Sequence, residues 1–299
     1  MASFAVVAIV REERGVLSTF VEHYLSLGAV EVALYCDGPV PEAFFAHEPR
    51  VRLISCDAGM WGRLGLVDPV HHERQGAAYA HYVPRAPGDW TLVVDADELM
   101  FGDAPVGALL DRVPRGVESI GLPSAEAVYG PKDDEDRPFG SRWFRVAVPR
   151  RARWALPLVY GAEVARLMRS GLLAHTAGKQ FVRSGSRGLE FGAHSARRDG
   201  RRVTRDARRW MTGKQRWWIG HFDAISFDRW AQKWRVRVDQ PEGFSRMKDA
   251  RARQQAQVIA ALEAGPTEAR ALFRRYYRLS ALSLGAMRAA GIAFRRDVV

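Results

Sequence analysis

The chain of 299 residues is long enough for one large α/β domain or for one domain with a helical appendix. Its apolar fraction of 47%, with 9 Trp and 14 Phe, excludes a disordered or fibrous protein. The sequence has no run of roughly 20 apolar residues that could cross a bilayer and no secretion signal at its start, so we expect a cytoplasmic protein. The net charge of +11 favours an anionic partner, which could be nucleic acid, a membrane surface or a phosphorylated substrate.

The first hundred residues alternate between strand and helix patterns. Continuous apolar runs predict strands at 4–10, 30–36, 51–56 and 90–97, and helical spacing predicts helices at 16–27, 39–47 and 70–82. This alternation is typical of an open, mainly parallel sheet with right-handed crossovers, whose ligands bind beyond the carboxyl ends of the strands. Further on, the pattern predicts a helix at 105–113, a strand at 118–123, a mobile loop at 129–141 and helices from 226 onward.

The acidic triplet Asp95-Ala96-Asp97 follows the apolar strand WTLVV. Because side chains alternate along a strand, we expect Asp95 and Asp97 on one side and Glu98 on the other. Two carboxylates at the mouth of a sheet suit Mg²⁺ or Mn²⁺, which binds such groups together with substrate phosphates. A cation there would neutralise the charge that builds on a departing nucleoside diphosphate. The D-x-D spacing also occurs in surface turns, so by itself it leaves a structural role open.

The chain resembles bacterial family-2-type glycosyltransferases related to the family 92 group. The resemblance is carried by VVAIVREERGVLSTFVEHYLSLGAVEVALYCDG, DWTLVVDADELMFG, GKQFVRSG and GHFDAISFDRWAQKWRVR, together with Gln75 and Tyr79 on a predicted helix. In the opening turn Glu12 replaces the Asn that is usual in the family. The resemblance implies a GT-A fold, that is, a Rossmann-like, mainly parallel mixed sheet flanked by helices. It also implies a nucleotide-sugar donor and a divalent metal, Mn²⁺ or Mg²⁺.

The same resemblance implies roles for individual residues. The ends of the first two strands would contact the nucleoside, Asp95 would approach the ribose and the metal, and Asp97 would chelate the metal. A late histidine often completes such a site, and His221 is our first choice, with His194 second. The predicted donor-binding residues are Val10, Arg11, Glu13, Asp37, Gln75, Asp95, Lys179, His194, Lys233 and Arg237, and the predicted metal ligands are Asp95, Asp97 and His221.

The catalytic base is less defined by the sequence. An inverting transfer needs a carboxylate that accepts the proton of the acceptor hydroxyl, and Asp223 and Glu126 are our candidates, while retaining chemistry stays open. Lys233 and Arg237 are one helical turn apart and could meet the same anion, but a solvated basic face has the same spacing.

We therefore predict a catalytic domain over 1–225 and a C-terminal helical extension over 226–299. The predicted activity is hexosyl transfer from a UDP-linked donor to a glycan or lipid-linked acceptor in polysaccharide biosynthesis. We expect it in the cytoplasm or peripherally at the anionic inner face of the membrane.

Two alternatives come from other classes. VVDAD also resembles the nucleophile strand of haloacid-dehalogenase-like phosphatases, although three predicted strands precede it and Leu99 stands where that family has Thr or Val. The positive charge would suit a nucleic-acid-binding protein, but the sequence carries no recognisable binding motif, so no nucleic-acid partner is expected.

Overall fold

The computed structural model describes residues 1–40, 42–213, 215–238 and 249–299. Its strands are β1 (Phe4–Val10), β2 (Val32–Cys36), β3 (Val51–Ser55), β4 (Trp90–Val93), β5 (Glu98–Gly102), β6 (Ser119–Gly121), β7 (Ser124–Val128), β8 (Trp143–Arg145), β9 (Gln180–Arg183), β10 (Glu190–Gly192), β11 (Ser195–Arg198), β12 (Arg201–Arg202), β13 (Thr204–Asp206), β14 (Trp217–His221) and β15 (Ala293–Arg295). Its helices are α1 (Arg14–Ser26), α2 (Glu42–Phe45), α3 (Ala58–Arg63), α4 (His71–Tyr82), α5 (Gly107–Leu110), α6 (Leu156–Leu167), α7 (Phe227–Val238), α8 (Asp249–Ala264), α9 (Pro266–Tyr277) and α10 (Ala281–Ala289).

The chain divides into two compact units that are discontinuous in sequence. Unit 1 comprises Met1–Pro123 and Ala177–Ile219, and unit 2 comprises Ser124–Thr176 and Gly220–Val299. The predicted boundary between residues 225 and 226 falls inside unit 2, and the division into folding domains stays a prediction.

Unit 1 is built on a mixed sheet with the strand order β13-β6-β9-β4-β1-β2-β3. Strands β1 to β4 are parallel, whereas β9 runs antiparallel to its neighbours β4 and β6. The odd-numbered residues of β1 pack with Trp61 of α3 and with Tyr79 and Tyr82 of α4, so one face of the sheet is covered by these helices. Helix α1 contacts β2 and β5. The predicted α/β fold with a mixed sheet flanked by helices is confirmed.

The order of the strands in unit 1 creates a switch point between β1 and β4. From β1 the chain moves outward through β2 to β3, and then returns to place β4 on the other side of β1. In open α/β sheets, ligands bind outside the carboxyl ends of the strands where the order reverses. The residues that follow β1 and β4 are therefore the first place to look for a site.

Unit 2 combines an antiparallel set of strands with a helical core. Glu126 of β7 pairs with Arg145 of β8, and Phe144 of β8 pairs with Phe294 of β15. Helices α6 to α9 pack together around buried aromatic side chains, which include Trp230, Trp234, Phe273, Tyr276 and Tyr277. The predicted helices after residue 226 are confirmed. No helix among the described residues has both the length and the apolar character needed to cross a membrane.

The predicted strand over 90–97 is shorter in the structure, because β4 ends at Val93.

The loop over 129–141 lacks regular secondary structure, as predicted, but two of its acids, Asp133 and Glu135, are buried. Glu135 accepts hydrogen bonds from Arg270, Arg274 and Arg278 of the α9 region. These contacts tie the loop down and contradict the prediction that it is mobile.

Candidate active site at the switch point of unit 1

The acidic triplet forms a turn between β4 and β5. The Asp95 N–H donates to Glu98 Oε2 at 3.0 Å, and the Glu98 N–H donates to the Asp95 carbonyl at 3.0 Å. This reciprocal pair closes the turn, so the expectation that these residues continue the strand, with Glu98 facing away from Asp95, is wrong. The Glu98 carboxylate instead folds back toward Asp95 and adds a third acid, which the sequence analysis had excluded.

Lys179 brings a buried positive charge to this turn. Its side chain is fully buried, and Nζ lies 2.7 Å from Asp95 Oδ2 and 3.5 Å from Glu98 Oε2. A buried ammonium is tolerated only when it is paired, and here two carboxylates share it. Burial lowers the pKa of Lys179, but the negative charges of Asp95 and Glu98 outweigh that effect and raise it, so the side chain stays charged.

Gly178, next to Lys179, allows the lysine to reach the acids. A Cβ at this position would lie 2.0 Å from the Leu122 carbonyl oxygen, which is a backbone atom and cannot move aside cheaply. The Lys179 carbonyl also accepts a hydrogen bond from the Leu122 N–H at 2.8 Å. The start of β9 is therefore held against residue 122 at a distance that only glycine permits.

Gln75 of α4 holds the other oxygen of Asp95. Its Nε2 donates to Asp95 Oδ1 at 2.7 Å, and the side chain is buried. With Lys179 on Oδ2, both oxygens of Asp95 have a fixed donor. Burial raises the pKa of Asp95, but the charge and hydrogen bond of Lys179 lower it by more, so the net shift of the pKa is downward. Asp95 is therefore an ionised carboxylate locked in one orientation.

The ends of β1 and β2 place further predicted residues at the same edge of the sheet. Val10 closes β1, and its carbonyl accepts the N–H of Asp37 at 2.8 Å, immediately after β2. Both oxygens of Asp37 accept from Arg74 Nη1, at 2.9 and 2.7 Å. Arg11 is exposed just after β1, and Glu13 is the exposed N-cap residue of α1.

His194 lies between β10 and β11, close to the residue before Lys179. Its Nδ1–H donates to the Gly178 carbonyl at 3.0 Å, because a carbonyl can only accept. This bond fixes the orientation of the imidazole ring. The structure brings together several predicted residues that lie at the carboxyl edge of the sheet or bond to groups there: Val10, Asp37, Gln75, Asp95 and Lys179. His194 bonds beside them. Two further residues, Arg74 and Glu98, belong to the same site but were not predicted from the sequence.

The carboxylates of the acidic turn are of the type that holds a divalent cation. Mg²⁺ and Mn²⁺ take one or two carboxylates and complete their shell with phosphates and water. Asp97 is half-buried in the turn, and both oxygens of Asp95 accept hydrogen bonds from Gln75 and Lys179. The predicted role of Asp95 and Asp97 as metal ligands stays a prediction.

The remaining predicted residues belong to unit 2. Glu126 is completely buried and pairs with Arg145 at 2.6 Å, and it also accepts the N–H groups of Leu173 and Ala174 at 3.2 and 2.8 Å. A general base must reach a substrate proton. The contacts of Glu126 therefore favour a structural role over that of a proton acceptor.

Asp223 is buried and accepts from Lys233 Nζ at 3.0 Å and from the Tyr277 hydroxyl at 2.7 Å. Burial raises its pKa, but the positive charges of Lys233 and Arg251 lower it well below the usual value. A carboxyl group with so low a pKa is a weak base, which favours an anchoring role for Asp223.

His221 is buried and stacks on His175 with ring centroids 5.2 Å apart. The predicted roles of His221, Lys233 and Arg237 in a donor or metal site stay predictions.

Comparison with known proteins gives structural likenesses only. No protein-family model matches the chain, and no curated protein sequence matches it. Among solved structures, the chain is similar to the galactosyltransferase LgtC in complex with donor and acceptor sugar analogues, at 12% identity and a TM-score of 0.29 over 60% of this chain and 58% of that one. An active-site mutant of LgtC gives 13% identity and a TM-score of 0.28, over 60% of this chain and 56% of the other.

The bifunctional glycosyltransferase WbbM, solved without ligand, gives 13% identity and a TM-score of 0.25 over 41% of this chain and 23% of that one. This chain therefore spans little more than half of the LgtC chains and about a quarter of WbbM. Because these TM-scores are below 0.5, the fold class rests on the strands and helices described above. A finer placement in the family 92 group is not confirmed.

Proposed function

We propose that this protein is a metal-dependent glycosyltransferase that binds a nucleotide-sugar donor at the switch point of unit 1. The observation that carries the proposal is the acidic turn after β4, in which Asp95 is locked by Gln75 and Lys179 while Asp97 stands beside it. An α/β sheet that gathers acids at this edge is suited to a nucleoside diphosphate and its cation.

Each group at the edge has a defined task in this proposal. Asp97 holds the divalent cation, and Asp95 presents a fixed acceptor to the ribose or to the metal shell. Lys179 keeps Asp95 ionised and correctly turned, and Asp37, itself oriented by Arg74, is the acceptor offered to the nucleoside. When bound, the cation supplies neutralisation of the charge that develops on the leaving diphosphate.

The finer parts of the proposal concern substrate and stereochemistry. We propose a UDP-linked hexose as the donor, a glycan or lipid-linked acceptor, and an inverting transfer in the cytoplasm, with peripheral contact to an anionic membrane. The net charge of +11 supports a phosphorylated donor and an anionic surface. Asp223 and Glu126 are weakened as candidate bases by their buried ion pairs, so the proton acceptor is not assigned to either.

A thermal-shift screen tests the donor site. UDP, GDP, CDP and dTDP are added with and without Mn²⁺, because a ligand that binds only the folded state raises the apparent stability. We expect one nucleoside diphosphate to raise the Tm with Mn²⁺ present. Asp97→Asn should lose the metal-dependent part of the shift, while the matched acid-to-amide change Glu22→Gln, on the exposed side of α1, should keep it.

Absence of any nucleotide shift in the wild type would contradict the proposal, as would an unchanged shift in Asp97→Asn. Hydrolysis of a generic phosphate ester by the wild type, lost in Asp95→Asn, would instead support the phosphatase alternative. Strong, salt-sensitive binding to DNA or RNA would support the nucleic-acid alternative.

A further inference from the structure

The segment over 150–160 of unit 2 exposes two large apolar side chains. It consists of a 3₁₀ turn, Arg150–Ala155, and the first turn of α6, which begins at Leu156. Trp154 is 74% exposed and Leu158 is 79% exposed, so the described residues leave most of both side chains in water. Tryptophan gains more than most residues when its ring leaves water. Two such side chains four residues apart therefore point to a surface that is covered by a partner.

Trp154 and Leu158 lie on one side of this segment. The backbone at Ala155 and Leu156 is right-handed helical, so the 3₁₀ turn continues into α6, and residues four apart on a helix are neighbours. Leu156 and Tyr160 are buried in the helical core of unit 2. The inner side of the segment is thus anchored by packing, and the outer side presents the indole and the leucine.

The chain around this apolar pair is strongly basic. From 146 to 178 it carries five arginines and a single acid, Glu163. That acid is already paired, because Arg275 Nη1 lies 3.2 Å from its Oε2. Three exposed arginines stand directly before Trp154 in the chain: Arg150, Arg151 and Arg153. The outer side of the segment therefore combines an excess of positive charge with exposed apolar surface.

We propose that the segment over 150–160, here called the docking segment, binds unit 2 to a lipid bilayer with anionic headgroups. The indole ring is suited to the boundary between headgroups and acyl chains, and Leu158 beside it leaves water at the same depth. The arginines are attracted to the anionic headgroups and keep their charged ends in the polar layer. This proposal rests on the peripheral membrane contact of the proposed function and assigns it to named residues, and it does not depend on the donor site in unit 1.

The apolar side chains favour lipid over other anionic partners. Arginine and tryptophan alone would also suit a nucleic acid, whose phosphates and bases they bind. Leu158, however, is an exposed aliphatic side chain, and a phosphate backbone offers it no apolar counterpart. A fluid bilayer closes around such a side chain without a preformed pocket.

Flotation of the full chain with lipid vesicles tests the docking segment. The vesicles contain phosphatidylcholine with phosphatidylserine, or phosphatidylcholine alone. We expect the wild type to bind the anionic vesicles at least about tenfold more tightly, and added salt to weaken this binding. Trp154→Ser removes the indole, and the double change Arg150→Gln with Arg151→Gln removes two charges; each should weaken the binding at least about tenfold.

Two matched controls separate the docking segment from general properties of the surface. Leu282→Ser changes an 85% exposed apolar residue of α10 in the same unit. Arg201→Gln with Arg202→Gln removes two exposed charges from β12, where neither β11 nor β12 contains a large apolar residue. Because isolated apolar residues are ordinary and distant charges are screened, both controls should stay within about twofold of the wild type.

Circular dichroism and the Tm show that each variant is folded. The proposal is overturned if the folded wild type does not bind anionic vesicles, or if binding falls as much in the β12 control as in the Arg150 and Arg151 variant, which would show that net charge alone decides it. Binding of RNA that depends on Trp154, without binding of vesicles, would also overturn it.

Titration of UDP with Mn²⁺ on the same samples distinguishes this proposal from the donor site. If UDP fails to bind while vesicle binding still depends on Trp154, the donor site in unit 1 is wrong and the docking segment stands. If UDP binds and the vesicles do not, the docking segment and the membrane contact of the proposed function are wrong, and the donor site is unaffected.

Discussion

At the scale of single residues, Lys179 illustrates how pairing decides the role of a charge. The family resemblance, carried here by GKQFVRSG, predicts Lys179 as a donor-binding residue. In the structure it is 84 residues away from Asp95 in sequence but 2.7 Å away in space. Sequence patterns report on neighbours within a helix or strand, so neither this pair nor the return of Glu98 toward Asp95 was predictable.

Lys179→Met should destabilise the protein and abolish donor binding. The change leaves the buried Glu98 and the half-buried Asp95 without their shared cation. Removing one partner of a buried pair costs about 3–5 kcal/mol. Urea unfolding measures the change. The control is Lys132→Met at an exposed position of the loop over 129–141, for which we expect less than about 0.5 kcal/mol. A Lys179→Met variant as stable as the control would show that the buried pair contributes little.

Gly178→Ala should be among the most harmful small substitutions in unit 1. The added Cβ would meet the Leu122 carbonyl oxygen at 2.0 Å, so the start of β9 must shift and carry Lys179 with it. We expect a loss of about 3 kcal/mol, the upper end of the usual range for overpacking, because the atom that is met belongs to the backbone. Gly62→Ala in α3, where a Cβ meets nothing within 4 Å, should instead be neutral or stabilising by about 0.5–1 kcal/mol. Equal effects of the two changes on the Tm would refute this reasoning.

At the scale of elements, the sequence predicts the strands and helices of unit 1 better than it predicts their ends. Apolar runs located β1 and β2 because buried parallel strands are continuously apolar. Strand β3 was also located, although it lies at the edge of the sheet and its apolar residues are only partly buried. The end of β4 was missed, since the turn at Asp95 depends on hydrogen bonds to Glu98 that apolar patterning does not encode. The charges of the loop over 129–141 predict mobility, because the sequence does not show that arginines of the α9 region pair with Glu135.

Glu135→Gln should release this loop from α9. Three arginines converge on the buried Glu135 carboxylate, and the amide cannot balance their charge. We expect a loss of about 2 kcal/mol, less than for a fully buried pair because the arginines are partly exposed. Asp136→Asn in the same loop removes an exposed acid that pairs with Arg270, and it should cost less than about 1 kcal/mol.

The ion pairs of Glu135 with the arginines of the α9 region also predict that stability depends on pH. Burial raises the pKa of Glu135, but hydrogen bonds from Arg274 and Arg270 lower it below the usual 4.5. A carboxyl whose pKa is lowered by folding stabilises the protein above its unfolded value, and this contribution is lost as the pH falls through the folded value. The stability difference between wild type and Glu135→Gln should be constant from pH 8 to about pH 5 and shrink below about pH 4.5. A difference that grows on acidification would contradict the sign.

At the scale of the whole molecule, the order of elements in the first hundred residues was sufficient to predict the α/β class and a ligand edge beyond β1 and β4. The interleaving of the two units was not predictable, because unit 2 takes residues 124–176 from the middle of the chain. Its contacts are long-range: Glu126 binds the N–H groups of Leu173 and Ala174, and Tyr277 bonds to Asp223. Local periodicity carries no information about such pairings.

The proposed glycosyltransferase activity requires that a nucleoside diphosphate and a divalent cation bind together at Asp97. Calorimetric titration of UDP into the protein, with Mn²⁺ present and then with Mn²⁺ replaced by a chelator, measures this coupling directly. We predict saturable binding that is at least about tenfold weaker without Mn²⁺, and the same loss in Asp97→Asn with Mn²⁺ present. UDP binding of equal strength with and without Mn²⁺, or in Asp97→Asn and wild type, would contradict a metal-dependent donor site at this turn.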